Sequence, residues 1–295
     1  MENSISPAAS GIGIALGGGG SRAFVHLGVL KRLEEAGLAP CVVTGSSMGA
    51  VLGALYASDP HLARTLPHIL GYFRKSSMFG GLARQSKGDG LHSRPGAFGA
   101  LLRSFAAWSV ASVISFRKGL RRVHPVYKAV DHFFGKNDRA IETLPMPFGC
   151  NALNLTNGAV ENFTAGPIAP ALKAGVAIGL VFAPHEHNGG QYADAAPVCA
   201  VPVALCRELG AGKVLAVDIC APLQRPLESS SGFDVVRRIL SVQSELLNER
   251  EIAGADVVLR IEASDVFWGD FSRIDELVER GYHAAESILE QIRTA

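Results

Sequence analysis

The chain has 295 residues, 48% hydrophobic and 19% charged, with 28 basic against 27 acidic side chains for a formal net charge of +1. That length buries a substantial core in one large domain or two small ones. The balanced charge, without an arginine-rich tail or aromatic-basic interleaving, argues against nucleic-acid binding. A mean hydropathy of +0.22 is high for a soluble protein and leaves apolar residues to serve a membrane surface. The five cysteines, Cys41, Cys150, Cys199, Cys206 and Cys220, are odd in number and show no metal-ligand spacing, which predicts buried thiols in a reducing compartment. Residues 1–10 have neither the basic start nor the apolar core of a signal peptide. The expected location is therefore cytoplasmic, with a peripheral position at the inner membrane face as a further expectation.

In chain order, residues 11–16 form a short apolar strand that ends in Gly17-Gly18-Gly19-Gly20. Beyond Phe24, Leu27, Leu30 and Leu33 recur at a helical step until Gly37 stops the helix. Cys41-Val42-Val43-Thr44 supplies a second buried strand, and 48–58 a helix of small residues. Strand, helix and buried strand in close succession favour a parallel sheet with helices on its faces. Residues 60–144 loosen into a Gly-, Ser- and Arg-rich stretch, an apolar segment at 97–116 and the basic cluster Arg117, Lys118, Arg121, Arg122, which together suggest an insertion or helical cap. Asn157-Gly158 between 148–155 and 159–163 signals a hairpin. Thereafter the pattern predicts a helix at 170–178, a strand at 191–193 reaching Asp194, a helix at 203–209 and a strand at 214–219. A helix at 245–252, a strand at 257–261 and a helix at 274–292 follow. The expectation is a single α/β domain over 1–295, a central mostly parallel sheet sandwiched by helices, with its core at about 11–58 and 145–295.

Gly45-Ser46-Ser47-Met48-Gly49 fits G-x-S-x-G, in which a nucleophile sits on a sharp strand-to-helix turn and flanking glycines relieve crowding. That places Ser47 at the tip. The alternative is a polar turn capping the next helix. The four-glycine loop, followed by Ser21-Arg22 and a helix, gathers unblocked backbone amides that could stabilise an anion. A nucleotide phosphate is one such anion, because Gly18-x-Gly20-x-x-Ala23 formally meets the dinucleotide fingerprint. The second strand ends without an acidic residue for a ribose, and an oxyanion hole beside a nucleophilic serine is the better use.

The runs Gly17-Gly18-Gly19-Gly20-Ser21-Arg22, Gly28-Val29-Leu30 and Gly45-Ser46-Ser47-Met48-Gly49-Ala50 resemble the opening of patatin-like phospholipases, in the manner of bacterial patatin-like serine acyl hydrolases. Tyr192-Ala193-Asp194-Ala195-Ala196-Pro197 resembles the family's segment bearing an aspartate. The resemblance implies a Ser47–Asp194 dyad working without histidine, with Ser47 as nucleophile and Asp194 as general base. It implies oxyanion donors among the amides of Gly18, Gly19, Gly20 and Met48, supporting roles for Arg22, Gly45 and Gly49, and no metal or organic cofactor. The implied substrate is a lipid or phospholipid carboxyl ester, in the phospholipase A or lysophospholipase manner. The family pattern has glycine where this chain has Ala23 and Ala195. If either position required positive φ, alanine would cost about 1 kcal/mol or more, and the fold could then serve as a weak or inactive lipid- or partner-binding protein.

Residues 97–116 are about long enough to span a bilayer, but Arg103 and several serines and glycines interrupt them. A cap helix is the expectation, with peripheral membrane contact through 97–122 as the second reading. His185 and His187 flank Glu186 in what reads as a solvated loop. Asp218 with His283 would be the partners of a conventional triad. Lys31, Arg32, Glu34 and Glu35 read as the solvated face of their helix; Arg22 reads as positioning the glycine loop or binding a substrate phosphate, with a helix-start residue held by packing and ion pairing as the alternative.

Overall fold

In the computed structural model, residues 9–75, 125–135, 139–179, 182–219 and 232–294 are described. One eight-stranded sheet organises them. Its strands are β1 (Ala9–Leu16), β2 (Val42–Gly45), β3 (Phe148–Asn154), β4 (Val160–Phe163), β5 (His185–His187), β6 (Gly190–Ala193), β7 (Ala211–Asp218) and β8 (Val257–Arg260). The order is β5-β6-β3-β2-β1-β7-β8, with β4 paired to β3. The run β3-β2-β1-β7-β8 is parallel throughout, whereas β4, β5 and β6 join antiparallel.

The apolar strands are buried on both faces because successive side chains point to opposite sides. Ile14, Leu16, Val43, Leu215 and Val217 enter one hydrophobic cluster. Their neighbours Ala15, Val42, Val214 and Ala216 enter a second, closed by Val203, Cys206 and Ile252. The larger cluster packs under α1 (Val25–Glu35), α2 (Ser47–Ser58), α3 (Leu62–Lys75) and α8 (Ile274–Glu286). Phe24, Phe73 and Phe271 meet there at centroid distances of 5.1, 5.9 and 6.1 Å. The helices α1 and α8 approach so closely that a Cβ on Gly28 would collide with the Val278 carbonyl and one on Gly281 with that of Val25.

The remaining helices are α4 (Pro125–Phe133), α5 (Ile168–Gly175), α6 (Val203–Glu208), α7 (Gly232–Ile252) and α9 (Leu289–Thr294). Helix α7 carries Val236, Ile239, Leu240 and Leu246 each more than half exposed.

Several expectations are revised here. The stretch 60–144 holds two regular helices, α3 and α4, where the sequence suggested loosened pattern; Pro67 inside α3 interrupts the signal without ending the helix. Residues 97–122 lie outside the described residues. The helix expected at 274–292 breaks at Ser287, and the one at 245–252 begins at Gly232. His185 and His187 stand on a short strand, paired antiparallel with β6, rather than in a loop. The face of α1 is not merely solvated. Glu34 accepts the Leu62 N–H at 3.0 Å, capping α3. Arg32 holds Glu286 at 2.6 and 3.1 Å, and Glu35 accepts the Tyr282 hydroxyl at 2.5 Å, tying α1 to α8.

Candidate active site

Strand β2 ends at Gly45 and α2 begins at Ser47, so the chain reverses within two residues. Ser46 is extended (φ −117°, ψ 145°), and Ser47 is left-handed at φ 53°, a conformation only Asn188 shares among the described non-glycine residues. Such a φ costs about 1–3 kcal/mol and persists where surroundings over-determine it. The surroundings here are tight. The Ser46 N–H donates to Leu16 O at 3.1 Å. A Cβ on Gly45 would lie 2.6 Å from the backbone of Gly49 and Ala50, and one on Gly49 2.5 Å from the Gly17 oxygen. The two serines are thereby distinguished: Ser46 Oγ is buried without a partner among the described residues, while Ser47 Oγ donates to Asp194 Oδ2 at 2.5 Å.

Asp194 follows β6, its own N–H donating to Ala177 O at 3.0 Å. Its second oxygen, Oδ1, accepts the Ala196 N–H at 2.9 Å. Exposure is 8% at Asp194 and 5% at Ser47. Burial pushes the Asp194 carboxyl up to about 6, against the pull of the hydrogen bonds from Ser47 and Ala196. A carboxylate so placed is ionised at neutral pH, yet basic enough to receive a hydroxyl proton. The short O–H···O contact is of the charge-assisted kind.

Most amides of the glycine loop are paired with backbone carbonyls. Gly17 N–H donates to Val217 O at 3.0 Å and Gly18 N–H to Ala200 O at 3.1 Å. Ser21 N–H donates to Trp268 O at 2.7 Å and Arg22 N–H to Gly19 O at 3.2 Å. Gly19 N–H has no backbone acceptor among the described residues. The N–H groups of Gly20 and Met48 open helical turns, where the first amides have no intrahelical acceptor. Gly18 therefore departs from expectation: its amide is committed to Ala200. Its lack of a side chain instead lets the loop approach the serine, since a Cβ there would lie 3.1 Å from Ser47 Cβ and 3.0 Å from Ala196 Cβ. Gly20 has φ 60°, and a Cβ on it would collide with the Trp268 carbonyl.

Three consecutive carbonyls hold this loop from the far end of the chain. Arg22 Nε donates to Val266 O at 2.6 Å, Ser21 Oγ to Phe267 O at 3.1 Å, and Ser21 N–H to Trp268 O. The Arg22 side chain thus ties the start of the turn after the glycines to Val266. The carbonyls of 266–268 and of Ala200 carry no signal in side-chain type and were invisible in the sequence. Nor does the sequence reading single out His26, whose Nε2 lies 2.8 Å from Gly17 O, although its place in the first turn of the helix after the glycines is a signal of closeness to the loop.

Ala23 and Ala195 are fully buried, and neither has a positive φ, so alanine brings no backbone strain at either position. Asp218 lies at the end of β7 near Arg260, 4.0 Å away, and His283 packs edge-on against Tyr282. The Ser47 hydroxyl is bonded to Asp194, which leaves the Asp218–His283 triad without its nucleophile. No group of three or more His, Cys, Asp or Glu suited to a metal ion occurs among the described residues. Nor is any described helix long and apolar enough to cross a membrane.

A serine on a strand-to-helix elbow, paired with a buried carboxylate on a largely parallel sheet, places the chain in the α/β class. A family profile described as Patatin-like phospholipase matches residues 14–206, a span containing both Ser47 and Asp194, and the chain belongs to that family. It is similar to "Lysophospholipase NTE1" of Mycosarcoma maydis, 26% identical over 304 residues, covering 95% of this chain and 15% of the relative. It is also similar to "Lysophospholipase NTE1" of Saccharomyces cerevisiae, 29% identical over 231 residues, covering 76% and 12%. The chain thus spans less than a fifth of the length of these curated relatives. Among solved structures, VipD from Legionella pneumophila aligns with TM-score 0.46 at 12% identity over 97% of this chain and 68% of that one. Human GIVD cytosolic phospholipase A2 aligns with TM-score 0.40 at 14% identity, over 100% and 60%.

Proposed function

We propose that the protein is a serine acyl hydrolase of lipid carboxyl esters, of phospholipase A or lysophospholipase type, with Ser47 as nucleophile and Asp194 as base. The observation that carries this reading is the 2.5 Å hydrogen bond from Ser47 Oγ to a buried carboxylate, where the glycine loop approaches Ser47 at Gly18; the Gly19, Gly20 and Met48 amides are the oxyanion donors in this reading. In the first half-reaction Asp194 takes the Ser47 proton as Oγ attacks the ester carbonyl carbon, and the carbonyl electron pair moves onto oxygen. Those amides hold the resulting oxyanion. Collapse re-forms the carbonyl and expels the alcohol, which leaves with the proton from Asp194, giving an acyl-serine. In the second half-reaction water attacks the acyl carbon and gives its proton to Asp194. Collapse then releases the fatty acid and returns the proton to Ser47.

The family and the lysophospholipase relatives support a lipid substrate. The exposed apolar residues of α7 support contact with a lipid surface, which the sequence placed at 97–122. The alternative of an inactive binding protein drew on Ala23 and Ala195, and the absence of a positive φ at both supports the catalytic reading over it. Hydrolysis of a short-chain p-nitrophenyl ester and a lysophospholipid by wild type, Ser47→Ala and Asp194→Asn tests the proposal. Turnover in the wild type that disappears in both folded variants is expected; equal background rates in all three would overturn it.

A further inference from the structure

His26, in the first turn of α1, is fully buried, and its Nε2 lies 2.8 Å from the Gly17 carbonyl oxygen. A carbonyl can only accept, so the ring carries its proton on Nε2. Burial holds its pKa down at about 4, and the ring is neutral at physiological pH. The other nitrogen, Nδ1, is buried with no partner among the described residues, a cost that folded proteins seldom carry without a reason.

What the ring holds is one face of a single peptide group. The Gly17 oxygen and the Gly18 nitrogen belong to the same rigid plane; His26 donates to the oxygen, and the nitrogen donates to Ala200 O at 3.1 Å. The next amide along the chain is that of Gly19, which has no backbone acceptor among the described residues. The Gly17 oxygen also backs the elbow, since with the Leu16 carbonyl it leaves no room for a Cβ on Gly49. Rotation of this peptide would turn the Gly19 N–H and move the support behind Ser47 together.

We propose that His26 is a positioning residue for the oxyanion donors: its Nε2–H fixes the Gly17–Gly18 peptide plane and so aims the Gly19 N–H at the oxygen of the tetrahedral intermediate. This rests on the acyl-transfer reading of Ser47. Two variants separate the hydrogen bond from the volume of the ring: His26→Phe fills the space without a donor, and His26→Gln restores an N–H. On a lysophospholipid, His26→Phe should lower kcat by about 10- to 100-fold with KM within about twofold, and His26→Gln should recover most of the loss. A trifluoromethyl ketone acyl analogue, which forms an oxyanion on the serine, should bind His26→Phe more weakly by the factor lost in kcat. A non-hydrolysable ether analogue of the substrate should bind unchanged.

Unaltered kcat in a folded His26→Phe would overturn the proposal. So would equal losses for ketone and ether analogues, or a glutamine variant no better than phenylalanine. If His26→Phe does not fold, His26→Asn, too short to span the contact, takes its place. If the wild type shows no turnover, the acyl-transfer reading fails separately. Hydrogen exchange of the peptide covering 17–22 then decides the strut itself: faster exchange in His26→Phe than in wild type or His26→Gln upholds it, and equal exchange in all three overturns it.

Discussion

The buried Asp194 carboxylate is held at the expense of stability, and Asp194→Asn should reveal this as a stability gain that depends on pH. Its carboxyl is raised from 3.8 to about 6, mainly by burial. A group whose folded pKa is raised stabilises the fold below its unfolded pKa, and that contribution is lost as pH rises through the folded value. At about 1.36 kcal/mol per pKa unit, the ionised carboxylate costs the native state about 3 kcal/mol at pH 7.5 and only about 1 kcal/mol at pH 4.5. Asparagine carries no such cost, keeps an acceptor for the Ala196 N–H and offers Ser47 an amide, with a pH-independent change of about 1 kcal/mol in hydrogen bonding. Denaturant unfolding of wild type and variant at both pH values gives the difference directly, with the other titrating groups cancelling. The stability of Asp194→Asn relative to wild type should climb by about 2 kcal/mol from pH 4.5 to 7.5. An equal difference at the two pH values would refute the reasoning that burial sets the basicity of this carboxylate.

The same pKa fixes the acid limb of the rate profile: kcat/KM should fall tenfold per pH unit below about 6 as Asp194 is protonated, as read by initial rates on a soluble ester. Gly18→Ala places a methyl 3.1 Å from Ser47 Cβ. It should leave the fold intact while lowering kcat by about 10- to 100-fold, checked by kinetics alongside circular dichroism. Gly20→Ala meets both a φ of 60° and the Trp268 carbonyl, and should lose about 2 kcal/mol or more of stability by denaturant titration.

The parallel core was legible because its signals are local. Apolar runs at Ile14 to Leu16, Val42-Val43 and Val214 to Val217 have the length and flanking glycines of buried strands, and Asn157-Gly158 announced its hairpin. The elbow at Ser47 was legible through its flanking glycines, at each of which a Cβ would collide with backbone. Asp194 was reached through resemblance, since an isolated aspartate after a four-residue strand has no periodic signature. The availability of the loop amides was illegible. Whether Gly18 or Gly19 keeps an open N–H depends on where Ala200 O lies, and that is set by tertiary packing between segments some 180 residues apart in sequence. The clamp by the carbonyls of 266–268 was hidden for the same reason, because every residue type carries a carbonyl. Glu34 and Glu35 read as surface charges because a lone helix pattern cannot reveal what packs against its polar edge.

The central claim is that Ser47, activated by Asp194, is the nucleophile. Reaction with a lipid-chain fluorophosphonate followed by intact-mass and peptide mass analysis tests it most directly. The account predicts one adduct, on Ser47, retained at the wild-type rate in Ser46→Ala, absent in Ser47→Ala and formed far more slowly in Asp194→Asn. An adduct on Ser46, or labelling of Ser47 at an unchanged rate in Asp194→Asn, would contradict it.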